Sequence, residues 1–169
     1  NYNYFKYGYS GYSTQRALTA TGVERWSVLQ RLSNNNTSNS AGGQLSYQHT
    51  FGRQGHHIVA SYNFGYNGDN SSNIEENEDI KGDFPVDYLW RENTGTGKYF
   101  RHVGQLDYAL PIGDKHVVEL GAKGTFMTNT AHNIPRQGMS ENEAAVIRTD
   151  EMRTEQFQNI VAAYAAYTG

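Results

Sequence analysis

Four groups of side chains have the types and spacing that chemistry could use. The stretch Asp69 to Asp83 carries Glu75, Glu76, Glu78 and Asp79 as well, with Lys81 its only base. Clustered carboxylates suit Ca²⁺, but the spacing is not that of an EF-hand loop, and a solvated loop is the plainer expectation. The six histidines are His49, His56, His57, His102, His116 and His132. Successive residues of a strand point to opposite faces, so His56 and His57 cannot easily converge on one ion. Surface or interfacial positions are expected for all six. Glu119 and Lys123 share one face of an alternating segment, and Asp107 on a neighbouring segment could pair with Lys123. General acid–base work would need a carboxylate in a desolvated pocket, and structural charges are expected instead. Trp26, Tyr88 and Trp90 fall in polar stretches. They could stack on a sugar or another ligand, or pack the loops together, and packing is the stronger expectation.

No Gly-x-Ser-x-Gly turn and no phosphate-cradling glycine motif after a strand is present. The expectation is a protein that is not an enzyme, with no catalytic, cofactor-binding or metal residue and no cofactor. The absence of cysteine excludes disulfides, thiolate zinc sites and cysteine nucleophiles. A net charge of −3 lacks the basic field of a nucleic-acid binder, so no nucleic acid is expected as a partner. Mean hydropathy is −0.75, and no run approaches the ~18 apolar residues of a transmembrane helix. A membrane barrel stays open, because half of each strand faces a polar lumen. The first residue is not Met and no leader pattern follows, so a mature fragment is expected.

The elements that must position these residues read as strands. Tyr is 13 and Gly 18 of 169 residues, Pro only 3, a balance that favours strands and turns over helices. Period-two alternation places strands near 2–12, 44–51, 56–67, 99–110, 116–128 and 155–167. Val118, Leu120, Ala122, Gly124 and Phe126 share an apolar face, with Glu119 and Lys123 on the other. Pro111 should end its strand, since it cannot donate a ladder hydrogen bond. Gly52–Gly55 and Gly113–Lys115 are short turns. Long polar connections are expected over 13–43, 67–98 and 129–153. Within them, Trp26–Leu32 and Val86–Trp90 are candidate strand extensions, Asn34–Ser40 has loop composition, and Asn93–Gly97 is a turn signal. Glu141–Met152 has some helical character, with a mobile loop expected.

Connections therefore alternate long and short. In an antiparallel meander all short turns fall at one end and all long loops at the other, the asymmetry of outer-membrane barrels. Lipid cannot satisfy backbone N–H and C=O groups, so strands cross it only as a closed sheet. The fold expected is all-β: an antiparallel up-and-down meander of about six long strands, part of a transmembrane outer-membrane β-barrel.

Residues 105–123 add something more specific. Gln105-Leu106-Asp107-Tyr108-Ala109-Leu110-Pro111 leads through Gly113-Asp114-Lys115 to Val118-Glu119-Leu120-Gly121-Ala122-Lys123. This hairpin resembles that of the outer membrane protein β-barrel family of Bacteroidota, itself similar to the barrel of TonB-dependent receptors. Gln158–Tyr164 resembles the family's next strand, and the order agrees from Leu45 to Tyr167. The resemblance implies a large barrel, an N-terminal plug domain and energy supplied through the TonB complex. Six strands are too few for such a lumen, so residues 1–169 are expected to be an internal fragment, one partial barrel domain. The resemblance implies nutrient uptake or transport across the bacterial outer membrane, with outer-membrane lipid, an unknown extracellular ligand, and a plug and TonB complex outside this chain as partners. The alternative is a structural or adhesive surface barrel whose long extracellular loops bind a partner.

Overall fold

The computed structural model describes residues 1–146 and 150–169. Its strands are β1 (Tyr2–Leu18), β2 (Glu24–Thr50), β3 (His57–Gly82), β4 (Trp90–Ile112), β5 (His116–Gly138), β6 (Ala145–Val146) and β7 (Met152–Thr168). They form one antiparallel sheet in sequence order, with β7 and the short β6 both pairing with β5. This is the all-β meander that alternation demands, and all six expected strands are present.

The strands run far beyond the expected bounds at one end. Strand β2 has 27 residues and β3 has 26. Asn34–Ser40, of loop composition, lies inside β2, in register with β1 on one side and β3 on the other. Asn93–Gly97, a turn signal by composition, lies inside β4. The connection expected over 13–43 shrinks to 19–23, closed by Thr19 N–H donating to Val23 O at 2.8 Å with Gly22 at φ 82°. Asn and Ser are weak strand formers. Here a neighbour on each side saturates the backbone ladder, and that tertiary term overrides composition. Trp26–Leu32 is the expected extension, whereas of Val86–Trp90 only Trp90 joins a strand. Pro111 pairs with Val117 one residue before β4 ends, so the strand outlasts it by one position. The helical character over 141–152 amounts to one turn, with Glu143 N–H on Ser140 O and Ala144 N–H on Glu141 O, followed by β6. Residues 147–149 of that stretch lie outside the described residues.

Register sorts the side chains into two faces. Leu106 sits opposite Ala60 and Ala122, and Tyr108 opposite Ile58 and Leu120. Tyr62, Phe64 and Tyr66 continue that face on β3, and Val161 and Phe157 on β7. The reverse face carries Ser61, Gln105 and Lys123 in one row, with Gln44, Ser46 and Gln48 on β2. On β4 the apolar face runs from Phe100 to Ile112, about 40 Å along the strand at ~3.3 Å per residue. A barrel tilt of 35–45° reduces this to about 30 Å of height, the thickness of a bilayer core. Beyond Phe100 both faces turn polar, through Lys98, Thr96 and Thr94 on one and Gly97, Gly95 and Asn93 on the other. The overhang is therefore solvated on both sides.

Rings cluster toward the ends of the apolar band. Tyr66 and Phe100 pack at 4.8 Å at its upper edge, and Phe51 stacks on His56 at 4.1 Å near the short turns. Polar tips within the band find each other: Tyr62 Oη is hydrogen-bonded to His102 Nδ1 at 2.7 Å. The far end has a local core of its own. At the β2–β3 irregularity Val28 faces two residues, Asp79 and Ile80, with Asp79 at φ 46°. Such a bulge re-aims the side chain, and Val28 is fully buried.

Candidate functional site

The polar face is concave. A cavity of 340 Å³ is lined by Tyr9 of β1, Asn34 of β2, Asn73 of β3, Asn93 of β4 and Pro135 of β5. Five successive strands can line one cavity only where the sheet curls around it. These five residues are also one rung of the ladder, each in register with the next. A second cavity of 380 Å³ takes in the adjoining rung of Tyr7, Asn36, Ser71, Gly95 and Asn133. Together they form a polar groove in the solvated half of the sheet.

Side-chain amides run across its floor. Asn36 Nδ2 donates to Asn34 Oδ1, and Asn34 Nδ2 to Asn73 Oδ1. At its outer end the connection 83–89 folds inward. Asn77, only 8% exposed, donates to Tyr88 O at 3.0 Å and accepts Gln30 Nε2 at 3.1 Å. Leu89 N–H donates to Gly138 O at 3.0 Å. Tyr88 Oη donates to Glu75 Oε1 at 2.8 Å, and Arg91 lies 4.9 Å over the Tyr88 ring.

Desolvation, then the Glu75 hydrogen bond and charge, hold the Tyr88 phenol above its ordinary value of 10, while Arg91 pulls it down. The neutral phenol is thus favoured in the folded strap. Its contribution is intact below the unfolded value and is lost as pH rises through the raised folded one. The phenolate titration of the wild type minus that of Tyr88→Phe should isolate one phenol that ionises later than ordinary tyrosine. A difference curve centred at or below 10 would remove the strap contact from the account.

The candidates singled out by residue type are distributed differently. The stretch Asp69 to Asp83 is mostly the outer half of β3, a strand where a loop was expected. Alternation divides its carboxylates: Glu75 faces the groove, while Glu76 faces outward and pairs with Arg31 at 3.4 Å. No group of three His, Cys, Asp or Glu able to hold a metal occurs among the described residues. The histidines take separate partners: His56 with Tyr108 Oη at 2.8 Å, His57 with Gly55 O at 3.0 Å, His116 with Tyr167 Oη at 2.6 Å and His132 with Glu151 at 2.8 Å. His49 packs edge-on against Phe51 at 4.6 Å.

The Asp107–Lys123 pairing expected from the shared face does not form. Asp107 stands opposite Gly121, and Lys123 opposite Gln105. Asp107 instead accepts Tyr164 Oη at 2.9 Å and Gln105 Nε2 at 2.8 Å. Glu119 lies opposite Ala109 and Ala166. Trp26, Tyr88 and Trp90 are packing residues: Trp26 lies edge-on to Phe84 at 5.0 Å, and Trp90, 5% exposed, sits under Arg136. The groove itself was missed. Asn34, Asn36, Ser71 and Asn73 lie in runs without a single apolar residue, so no period-two alternation marks them as one face of a strand.

An antiparallel sheet with an apolar band outside, a polar concave wall, tight turns at one end and a solvated overhang at the other is the wall of a transmembrane outer-membrane barrel. The sequence model of the outer membrane protein β-barrel family matches residues 49–169. The chain belongs to that family, and it is a protein of the bacterial outer membrane. No curated protein and no solved structure matches it.

Proposed function

We propose that the chain is a segment of a TonB-dependent receptor-like barrel that takes up a nutrient across the outer membrane. The supporting observation is the polar groove across β1 to β5, formed in the half of the sheet that projects beyond the apolar band. Short turns of such barrels lie on the periplasmic side, so the groove opens toward the outside, where a ligand arrives. On this reading the apolar face contacts outer-membrane lipid. A plug domain and the TonB complex, both contributed by other parts of the system, supply the gate and the energy. The groove brings together no nucleophile, base and orienting partner, which supports binding and passage rather than catalysis. Its few cations support a partner other than nucleic acid.

Energy dependence is the test. Cells with the gene deleted should lose uptake of one nutrient, and wild-type cells treated with a protonophore should lose it to the same extent. The specific rival is an adhesive surface barrel, favoured by the length of the polar overhang. Uptake of every tested nutrient unchanged by the deletion, together with loss of surface attachment, would replace the transport reading by that one.

A further inference from the structure

We propose that the short-turn rim of the sheet holds the headgroup of an anionic phospholipid, a phosphatidylglycerol, from the periplasmic leaflet of the membrane. The inference rests on the outer-membrane placement of the sheet and is independent of what the barrel transports.

The lipid-facing side changes character at the foot of the apolar band, where histidines join it. His49 is in register with Ile58, and Ile58 with Tyr108. His116 is in register with Ile112, and Tyr167 with Val118. Aromatic rings hold two of the imidazoles in place. Phe51 stacks on His56 at 4.1 Å, and His56 Nε2 lies 2.8 Å from Tyr108 Oη. His116 Nδ1 lies 2.6 Å from Tyr167 Oη, with the two rings stacked. Each pairing uses one ring nitrogen, and the other takes no hydrogen-bond partner among the described residues. Where the phenol donates, that second nitrogen carries the proton and is itself a donor. A girdle that only buries rings at the interface needs no such donors.

The two turns add charge. Arg53 and His56 share one turn, closed by His56 N–H on Arg53 O at 3.1 Å and Phe51 N–H on His56 O at 2.9 Å. Lys115 and His116 share the next. A guanidinium N–H of Arg53 donates to Gly113 O, which ties the turns together and leaves further donors of the same fork open. Arg53 and Lys115 are exposed and enter no ion pair among the described residues. Asp114 is the one carboxylate of the turns, since Asp107 and Glu119 face the concave side. Two cations against one carboxylate leave one net positive charge at the level where phosphates lie. A phosphodiester oxyanion answers both that charge and the imidazole donors. A zwitterionic headgroup would bring an ammonium against Arg53 and Lys115.

The full-length protein, purified in detergent, should be examined by native mass spectrometry with phosphatidylglycerol, phosphatidylethanolamine and phosphatidylcholine of matched acyl chains. One net charge near an anionic headgroup gives about a fivefold preference for phosphatidylglycerol. Asp114→Asn should raise that preference about fivefold again, and Arg53→Gln should reduce it to within about twofold. His116→Phe keeps the ring and removes its donor, and should weaken all three lipids alike by about threefold. Lys98→Gln, on the same side but beyond the upper edge of the band, should leave the preference unchanged. Variants must migrate as folded barrels on unheated gels, and the exposed turn substitutions decide the matter where His116→Phe does not fold. Equal binding of the three lipids would overturn the proposal. So would a preference untouched by both turn substitutions, or one lost equally in Lys98→Gln.

Discussion

Leu106→Arg should sharply reduce assembly of the barrel, while Gln105→Arg, one residue away, should leave it nearly intact. Leu106 lies midway between Phe100 and Ile112 on the apolar face of β4 and is 46% exposed, although no water is expected there. An arginine at the bilayer midplane of a barrel costs ~2–4 kcal/mol, against a total folding stability of only ~5–15 kcal/mol for an ordinary domain. Gln105 faces the concave side, where its amide already donates to Asp107 at 2.8 Å. An arginine there keeps Asp107 as an acidic partner in a polar surround, which offsets its repulsion from Lys123 on the opposite strand. The measurement is the folded fraction of full-length protein in outer membranes, read by heat-modifiable migration. Equal losses for the two variants would show that the faces have been assigned the wrong way round.

The half of the fold that meets lipid was legible because its physics is one-sided. Val118 to Phe126 alternate with Glu119 to Lys123 since hydrocarbon requires an apolar face, and that requirement imprints period two on the sequence. The overhang has no such requirement. Asn35 and Asn36 of β2 face opposite sides and both are polar, so no alternation marks them, and composition alone suggests a loop. What makes them a strand is nonlocal: β1 and β3 supply the ladder partners of the backbone. The same cause hid the groove. Its residues come from five strands separated by as much as the distance from Tyr9 to Pro135 in sequence, and only register aligns them. The charged candidates failed for a related reason. Sharing a face put Asp107 near Lys123 in principle, but a direct pair needs the same rung, and the rung of Asp107 holds Gly121 and Tyr164.

That rung carries the second large effect. Gly121→Ala should lower the stability of the barrel by displacing the exposed Tyr164 ring and its hydrogen bond to Asp107. In a Tyr164→Ala background the same substitution should cost almost nothing. The Tyr164 ring lies across Gly121, so an added Cβ would collide with it, and Asp107 Oδ1 stands 2.8 Å from that position. The ring covers the backbone that glycine leaves bare, an aromatic rescue of a strand glycine, while its hydroxyl reaches across to Asp107 at 2.9 Å. Ring, glycine and carboxylate form one unit that ties β4, β5 and β7 together on the concave side. Moving the ring breaks the hydroxyl contact as well, so the two losses arrive together. A double-mutant cycle isolates this coupling, measured by urea unfolding in detergent micelles. Additive costs for Gly121→Ala and Tyr164→Ala would mean that the ring packs elsewhere, and that Gly121 is tolerated rather than required.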